Sequence, residues 1–352
     1  MKKSDLKTLK QILTPFKMGR TNIPVLGCAL FESYPALNET VIRATDLDVE
    51  LKIILPHSEG FDGLVKWDTI QSELKAPVEE ISLPLADDKP EDFPPEMELG
   101  NKPLSSISSK SFSDILNNAV KFMSEDQTRY VLNGVHFVPT DIGYNVESSD
   151  GKRLLDAVAN MGEYRYRLHE SVENFIIPAK AVVHLSRLLK TANADLTMTF
   201  DDRTNVYSFS SRLKNDWRFA VRFKPVAGNF PNVKIITKPG YEAKIFKSFQ
   251  SGEKLLTETK YRKPAKSAKF ETVGLRSLDF EWGVDASENL SQYRDDCEFF
   301  GFFQGGLLED FFTPVKDLPF RLYFSGNERP IFMKHENCGV KYLSVLMPFS
   351  TP

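Results

Sequence analysis

Apolar residues fall along this chain with two spacings, one helical and one alternating, and the order in which they follow one another repeats. In the first stretch, Leu6, Leu9, Leu13 and Phe16 share a helical stripe, while Lys3, Lys7, Lys10 and Lys17 share the opposite one. This predicts an amphipathic helix started by Ser4 as N-cap and distorted at its last turn by Pro15. The runs IPVLGCALF and VIRATDLDVEL then read as strands. In the second of them Leu47, Val49 and Leu51 alternate with Asp46, Asp48 and Glu50, which predicts a half-buried strand with an acidic outer face. VKWDTIQSELK returns to helical spacing at Trp67, Ile70 and Leu74, and a strand follows it in VEEISLPL. Pro, Asp and Gly then accumulate up to residue 103, as at a domain boundary.

The second region runs through the same order. Ser111 and Asp114 mark a capped helix start, and Phe112, Ile115, Leu116, Ala119 and Met123 supply its apolar face. A hairpin follows in RYVLNGVHFVPTDIGYNVESS. Val131, Asn133, Val135 and Phe137 share one face, and Leu132, Gly134 and His136 the other. It ends at Ser149, Asp150 and Gly151, a tight turn because Asp bonds its own backbone and Gly tolerates positive φ. Lys152, Arg153 and Leu154 leave that turn together as a charged corner. In IIPAKAVVHLSRLLKT, Pro178 precedes a helix that turns Ala181, Val182, Leu185, Leu188 and Leu189 inward. Lys180, His184 and Arg187 form its polar stripe, with His184 read as partly exposed. DLTMTF, VYSFSS and RFAVRF complete the region as strands.

The third region echoes both. KFETVGLRSLDFEW repeats the Val-Gly-apolar core, with glycines at 27, 134 and 274, and FQGGLLEDFFTPVKDLPFRLYF repeats the helix followed by a strand. The predicted class is α+β, in three related domains spanning 1–98, 99–237 and 238–352.

At 352 residues and 41% hydrophobic, the chain is long enough for several cores. Cys28, Cys297 and Cys338 are odd in number, widely spaced and without a CxxC pair, a pattern that suggests neither a disulfide framework nor a zinc knuckle. The N-terminus lacks the apolar core of a signal peptide and no apolar run is long enough to span a membrane, so a reducing cytoplasmic setting is expected. The net charge of −3 conceals a division. Residues 1–20, 178–191 and 244–269 carry +5, +3 and +6, leaving −17 for the rest. A basic surface set in an acidic protein fits a phosphate backbone. Asp46 and Asp48 have the spacing of a metal-binding pair, but strand alternation gives the same spacing, and no P-loop, zinc site or nucleophile with its base accompanies them. No cofactor, metal or catalytic residue is expected.

NIPVLGCALF with ATDLDVEL, then EDQTRYVLNGVHF, SSDGKRL, FIIPAKAVVHLSRLL and GNFP, then RPIFMK and YLSVLMPF, resemble in that order the bacterial DNA sliding clamp, the beta subunit of DNA polymerase III. The resemblance runs almost throughout the second region and in patches elsewhere. It implies a head-to-tail homodimeric ring with helices lining the inner face around duplex DNA and antiparallel sheets on the outer rim, tethering polymerase and loaded by a clamp loader. It implies DNA contacts from Lys3, Lys7, Lys10, Lys17, Arg20, Lys121, Lys180, Arg187 and Lys190. Carried over by position, a partner-peptide pocket comprises Leu132, Ser149, Gly151, Lys152, Arg153, Leu154, Pro231, Ile235, Ile236, Pro330, Val345, Met347, Pro348 and Phe349. The chain departs from the family in a first domain shortened between Leu74 and Phe93, which leaves the subunit contact near Ile81 and Leu83 without its usual strands. It also has Lys152 where many relatives have His, and it ends in Ser350, Thr351 and Pro352. Alternatives are a clamp-like adaptor that closes no ring, or a metal-dependent nucleic-acid enzyme using Asp46, Asp48 or the 87–92 acidic cluster.

Overall fold

The computed structural model describes residues 1–14, 23–75, 77–98, 103–160, 173–237, 245–249, 272–276, 283–284, 300–324 and 329–348. Pro15, Phe16, Lys17, Arg20, Phe349 and most of the basic segment 244–269 lie outside them. The chain divides into two compact units, one of residues 1–116 and 177–226, the other of 117–162, 173–176 and 227–352.

In chain order the first elements are α1 (Lys3–Leu13), β1 (Cys28–Tyr34), β2 (Glu39–Thr45), β3 (Val49–Leu55), β4 (Gly63–Lys66) and α2 (Trp67–Glu73). Then come β5 (Pro103–Ile107), α3 (Ser109–Ala119), β6 (Gly134–Thr140), β7 (Gly143–Ser149), β8 (Arg153–Asn160), β9 (Phe175–Pro178) and α4 (Ala179–Leu188). β10 (Leu196–Asp201), β11 (Val206–Arg212), β12 (Arg218–Phe223), the one-turn α5 (Lys234–Thr237) and β13 (Ile245–Phe249) follow. The last are β14 (Thr272–Arg276), β15 (Gly283–Val284), β16 (Phe300–Gln304), α6 (Gly305–Phe312), β17 (Phe320–Phe324), β18 (Ile331–Asn337) and β19 (Val340–Leu346).

Two antiparallel sheets share one plan. In the first unit the order is β4-β1-β2-β3-β12-β11-β10-β5, two three-stranded meanders, each with a fourth strand outside, joined where β3 pairs with β12. The other sheet, β15-β13-β17-β18-β19-β8-β7-β6-β9, joins two such modules where β19 pairs with β8, with the two-residue β15 added outside β13. One module type puts its edge strand after the meander and just before a helix, as in β1–β4 with α2 and β6–β9 with α4; the other puts it first, as in β5 with β10–β12. This is the repeat anticipated from the sequence, now visible as topology. The first unit also buries Leu6, Leu9, Ile12 and Leu13 of α1, which packs against α2 and α4. Each such side chain contributes roughly 1.5–3 kcal/mol.

Several sequence expectations change. VIRATDLDVEL is two strands rather than one: Leu47 adopts φ +78°, and the Asp46 carboxylate accepts the amides of Asp48 (3.2 Å) and Val49 (2.9 Å). The acids therefore do not form an outer face, since Glu50 is 1% exposed beside Arg222. YVLN is not strand either. Gln127–Leu132 is a 3-10 helix begun by Asp126, whose side chain accepts the Thr128 amide, and β6 starts only at Gly134. Ser4 does not cap α1, whose first amide instead donates to Glu79 O at 2.8 Å, and α3 begins at Ser109, with the Ser108 hydroxyl accepting from the Ser111 amide.

The strand expected after α2 is missing as well. Among the described residues 77–98 there is no strand, only a bridge from Lys2 to Glu80 and a short 3-10 turn. This segment crosses the first sheet instead. The Ala86 amide donates to Leu64 O at 2.7 Å, Arg43 lies 5.4 Å over the Phe93 ring, and the Met97 amide donates to Glu50. Ile81 and Leu83 are buried by their own chain, 3% and 7% exposed. The first repeat thus holds one module where the second holds two.

At the β7 turn, Gly143 lies so close to the Ala159 carbonyl that a Cβ would overlap it. Gly143→Ala should therefore cost about 2 kcal/mol of stability, read as a lower urea midpoint.

Candidate partner-peptide site and nucleic-acid surface

The corner at 149–154 is built by its own side chains. Asp150 Oδ1 accepts the amides of Lys152 (2.8 Å) and Arg153 (3.0 Å), and Ser149 Oγ accepts the Gly151 amide while donating to Arg153 O at 2.7 Å. Gly151 sits at φ +86°, where a side chain is strained. Arg153 locks the turn from within. Its side chain is 8% exposed, with Nε 3.0 Å from Asp150 Oδ2, Nη1 3.0 Å from Asp310 Oδ2 on α6, and the guanidinium 5.5 Å over Phe122.

The end of the chain is tied to this corner by a ladder. Leu154 pairs with Val345 and Arg153 with Leu346, and the Met347 amide extends the run by donating to Lys152 O at 2.9 Å. The interdomain segment reaches the same sheet: the Phe230 ring stacks on His136 at 4.9 Å, and His136 Nδ1 lies 2.7 Å from Glu147. The fourteen pocket residues carried over from the resemblance therefore separate into three groups. Leu132, Arg153, Leu154 and Val345 are buried by the chain itself. Ile235, Ile236 and Met347 are 57%, 36% and 42% exposed, and Gly151, Lys152 and Pro231 are exposed as well. Ser149, Pro330 and Pro348 are half-buried, and Phe349 is outside the described residues.

The basic candidates are less uniform. On α1 Lys7 is exposed, and Lys3 and Lys10 are half-buried; Arg187 and Lys190 are exposed on and after α4, against which α1 packs. Lys180 is exposed too, but its Nζ is 2.5 Å from Asp46 Oδ2, and Lys121 lies 3.8 Å from Asp310. His184 departs from its expected partial exposure. It is 2% exposed, and burial pushes its pKa down to about 3, helped by Arg187 and Lys180 and opposed by Asp46. The spacing held the signal: His184 stands three residues after Ala181 and four before Leu188, on the inward stripe.

Asp46 is committed to its turn and to Lys180, so the Asp46–Asp48 pair is a structural turn. Asp5, His57 and Glu59 do converge within 4.8 Å of one another, a grouping the sequence did not signal, but Glu59 is engaged at 3.0 Å by the N-terminal ammonium of Met1. No helix among the described residues is long and apolar enough to cross a membrane.

Residues 106–232 match the family model of the DNA polymerase III beta subunit, central domain. The chain is 24% identical over 261 residues to a beta sliding clamp of Rickettsia bellii, covering 69% of this chain and 65% of that protein, just under two thirds of its length. It is 27% identical over 265 residues to one of Treponema pallidum, covering 68% and 66%. The fold likeness is wider. A sliding clamp from Bacillus subtilis superposes with a TM-score of 0.77 at 16% identity, covering 100% of this chain and 98% of that one. The chain has the fold of the bacterial sliding clamps and resembles them in sequence over about two thirds of its length. A clamp from Bartonella birtlesii bound to griselimycin matches with a TM-score of 0.74 at 18% identity, covering 100% and 98%. The α+β repeat fold is thus that of the clamp family.

Proposed function

We propose that this chain is a DNA sliding clamp, a processivity factor that encircles duplex DNA and tethers the replicative polymerase and other proteins through the 149–154 corner. The observation that carries the reading is the joining of that corner to the final strand, with Met347 and the exposed Ile235 and Ile236 offered to a partner. Apolar anchors of a short peptide would each contribute roughly 1.5–3 kcal/mol before ordering costs. The role is binding rather than catalysis, exercised in the bacterial cytoplasm or nucleoid. The basic helix stripes would hold phosphates without reading bases. A clamp loader would open the ring, and topology rather than affinity would retain it. The domains are 1–98, 99–237 and 238–352, each unit of the structure drawing strands from more than one.

A second reading rests on a specific observation. With no strand in the described residues 77–98, and Ile81 and Leu83 covered by their own chain, the first domain lacks a module that a ring seam of the same design would use. The chain would then be an adaptor closing no ring. Light scattering across a dilution series separates the two. A persistent species of about twice 40.0 kDa is expected for the clamp, because head-to-tail contacts close only when the rotation completes a circle; a monomer at every concentration would favour the adaptor. For direct DNA binding, log affinity should fall against log salt with a slope of roughly −0.9 per neutralised phosphate, and Arg187→Ala should make that slope shallower.

A further inference from the structure

One step along the sheet from the proposed peptide pocket lies a second concavity, of about 650 Å3, whose lining includes Asp156, Val158, Arg321, Tyr323, Lys334, Glu336, Lys341 and Leu343. Its position follows from the register. Leu154 pairs with Val345, and two residues further along the same strands Asp156 pairs with Leu343, which pairs with Lys334, which pairs with Arg321. Residues two apart in a strand share a face, so this row continues the pocket's row after roughly 7 Å. Tyr323 and Leu343 give the concavity an apolar component, and Lys334 Nζ stands 4.8 Å over the Tyr323 ring. Arg321 and Lys341 are exposed.

We propose that this concavity is an extension of the peptide site, and that it takes acidic residues flanking the apolar motif of a partner peptide. The inference rests on the peptide-tethering reading above. Charge and continuity argue for it together. Arg321, Lys334 and Lys341 outnumber Asp156 and Glu336. A nucleic-acid phosphate would be drawn by the same cations, but the apolar contribution and the shared face with Leu154 and Val345 favour a peptide.

The test uses the full chain and fluorescein-labelled synthetic peptides carrying a leucine pair, flanked by runs of aspartate, serine or lysine, with binding read by anisotropy. The aspartate-flanked peptides should bind about tenfold more tightly than the lysine-flanked ones, about 1.4 kcal/mol. Lys334→Glu with Lys341→Glu should remove or invert that preference and leave the serine-flanked peptides unchanged. Lys341→Glu alone, at an exposed position, keeps the test valid if the double variant does not fold. Equal affinities for all flanks, with the leucine pair still bound and lost in Met347→Ala, would overturn the inference and leave the tethering reading standing. Charge-reversal variants that weaken duplex DNA binding without changing the flank preference would assign the concavity to nucleic acid and also overturn it. No binding of any peptide would overturn both readings.

Discussion

Arg153→Ala should unlock the corner, with a loss of about 2–3 kcal/mol in stability and the disappearance of peptide binding. The guanidinium is buried between two carboxylates on different elements, Asp150 in its own turn and Asp310 on α6, and it also covers Phe122. Removing it leaves both carboxylates without their shared partner. The expected loss is below that of a fully enclosed pair because the Asp310 side chain is 36% exposed. Arg153→Lys should not rescue it, since one ammonium cannot satisfy the two directions a planar guanidinium serves. Asp310→Asn should give a smaller loss, because Asp150 still holds Nε. Urea unfolding and peptide anisotropy read these outcomes. An Arg153→Ala variant with unchanged unfolding midpoint would show that the turn is held by its backbone bonds alone.

Acidification is the second large effect. His184 and His335 are buried neutral, with pKa values pushed down to about 3 and about 4 from 6.5, by burial foremost in each case. His335 stacks on Tyr342 at 4.5 Å, and neither ring nitrogen has a hydrogen-bond partner among the described residues. Between these values and 6.5 the unfolded chain binds protons that the folded chain refuses, so stability falls as pH drops below 6.5. At about 1.4 kcal/mol per pKa unit, each histidine withdraws up to roughly 3 kcal/mol by pH 4. Asp156 acts in the opposite sense. Its pKa is raised to about 6, so the folded state binds the extra proton between 6 and 3.8 and regains part of the loss there. The net expectation is a steep decline in melting temperature from neutral pH to about 4.5. His184 belongs to the first unit and His335 to the other, so both should show it. Replacing both by leucine should flatten the profile; an unchanged profile would place the acid sensitivity elsewhere.

Much of the fold was legible before any coordinates. The order of helical and alternating spacings, repeated across the chain, appears as two sheets of shared plan, and the strands DLTMTF, VYSFSS and RFAVRF appear as β10, β11 and β12. The SDGKR turn was legible for a local reason: Asp150 and Gly151 form it from their own side-chain oxygen and positive φ, which needs no distant residue.

What the sequence determined by itself was what neighbours in the chain can enforce: periodicity, turn chemistry and the segregation of basic residues. Only the tertiary structure decided which polar groups are buried. Glu50 is enclosed beside Arg222 contributed by β12, and Arg153 became a lock through Asp310, 157 residues later. It also decided that residues 77–98 strap the first sheet instead of adding strands to it, through contacts to Leu64, Arg43 and Glu50 that no local pattern announces. The physical reason is the same throughout. A polar or irregular segment settles wherever distant donors and acceptors satisfy its backbone and charges, and that pairing is set by how the chain folds back on itself, which alternation along the chain does not encode.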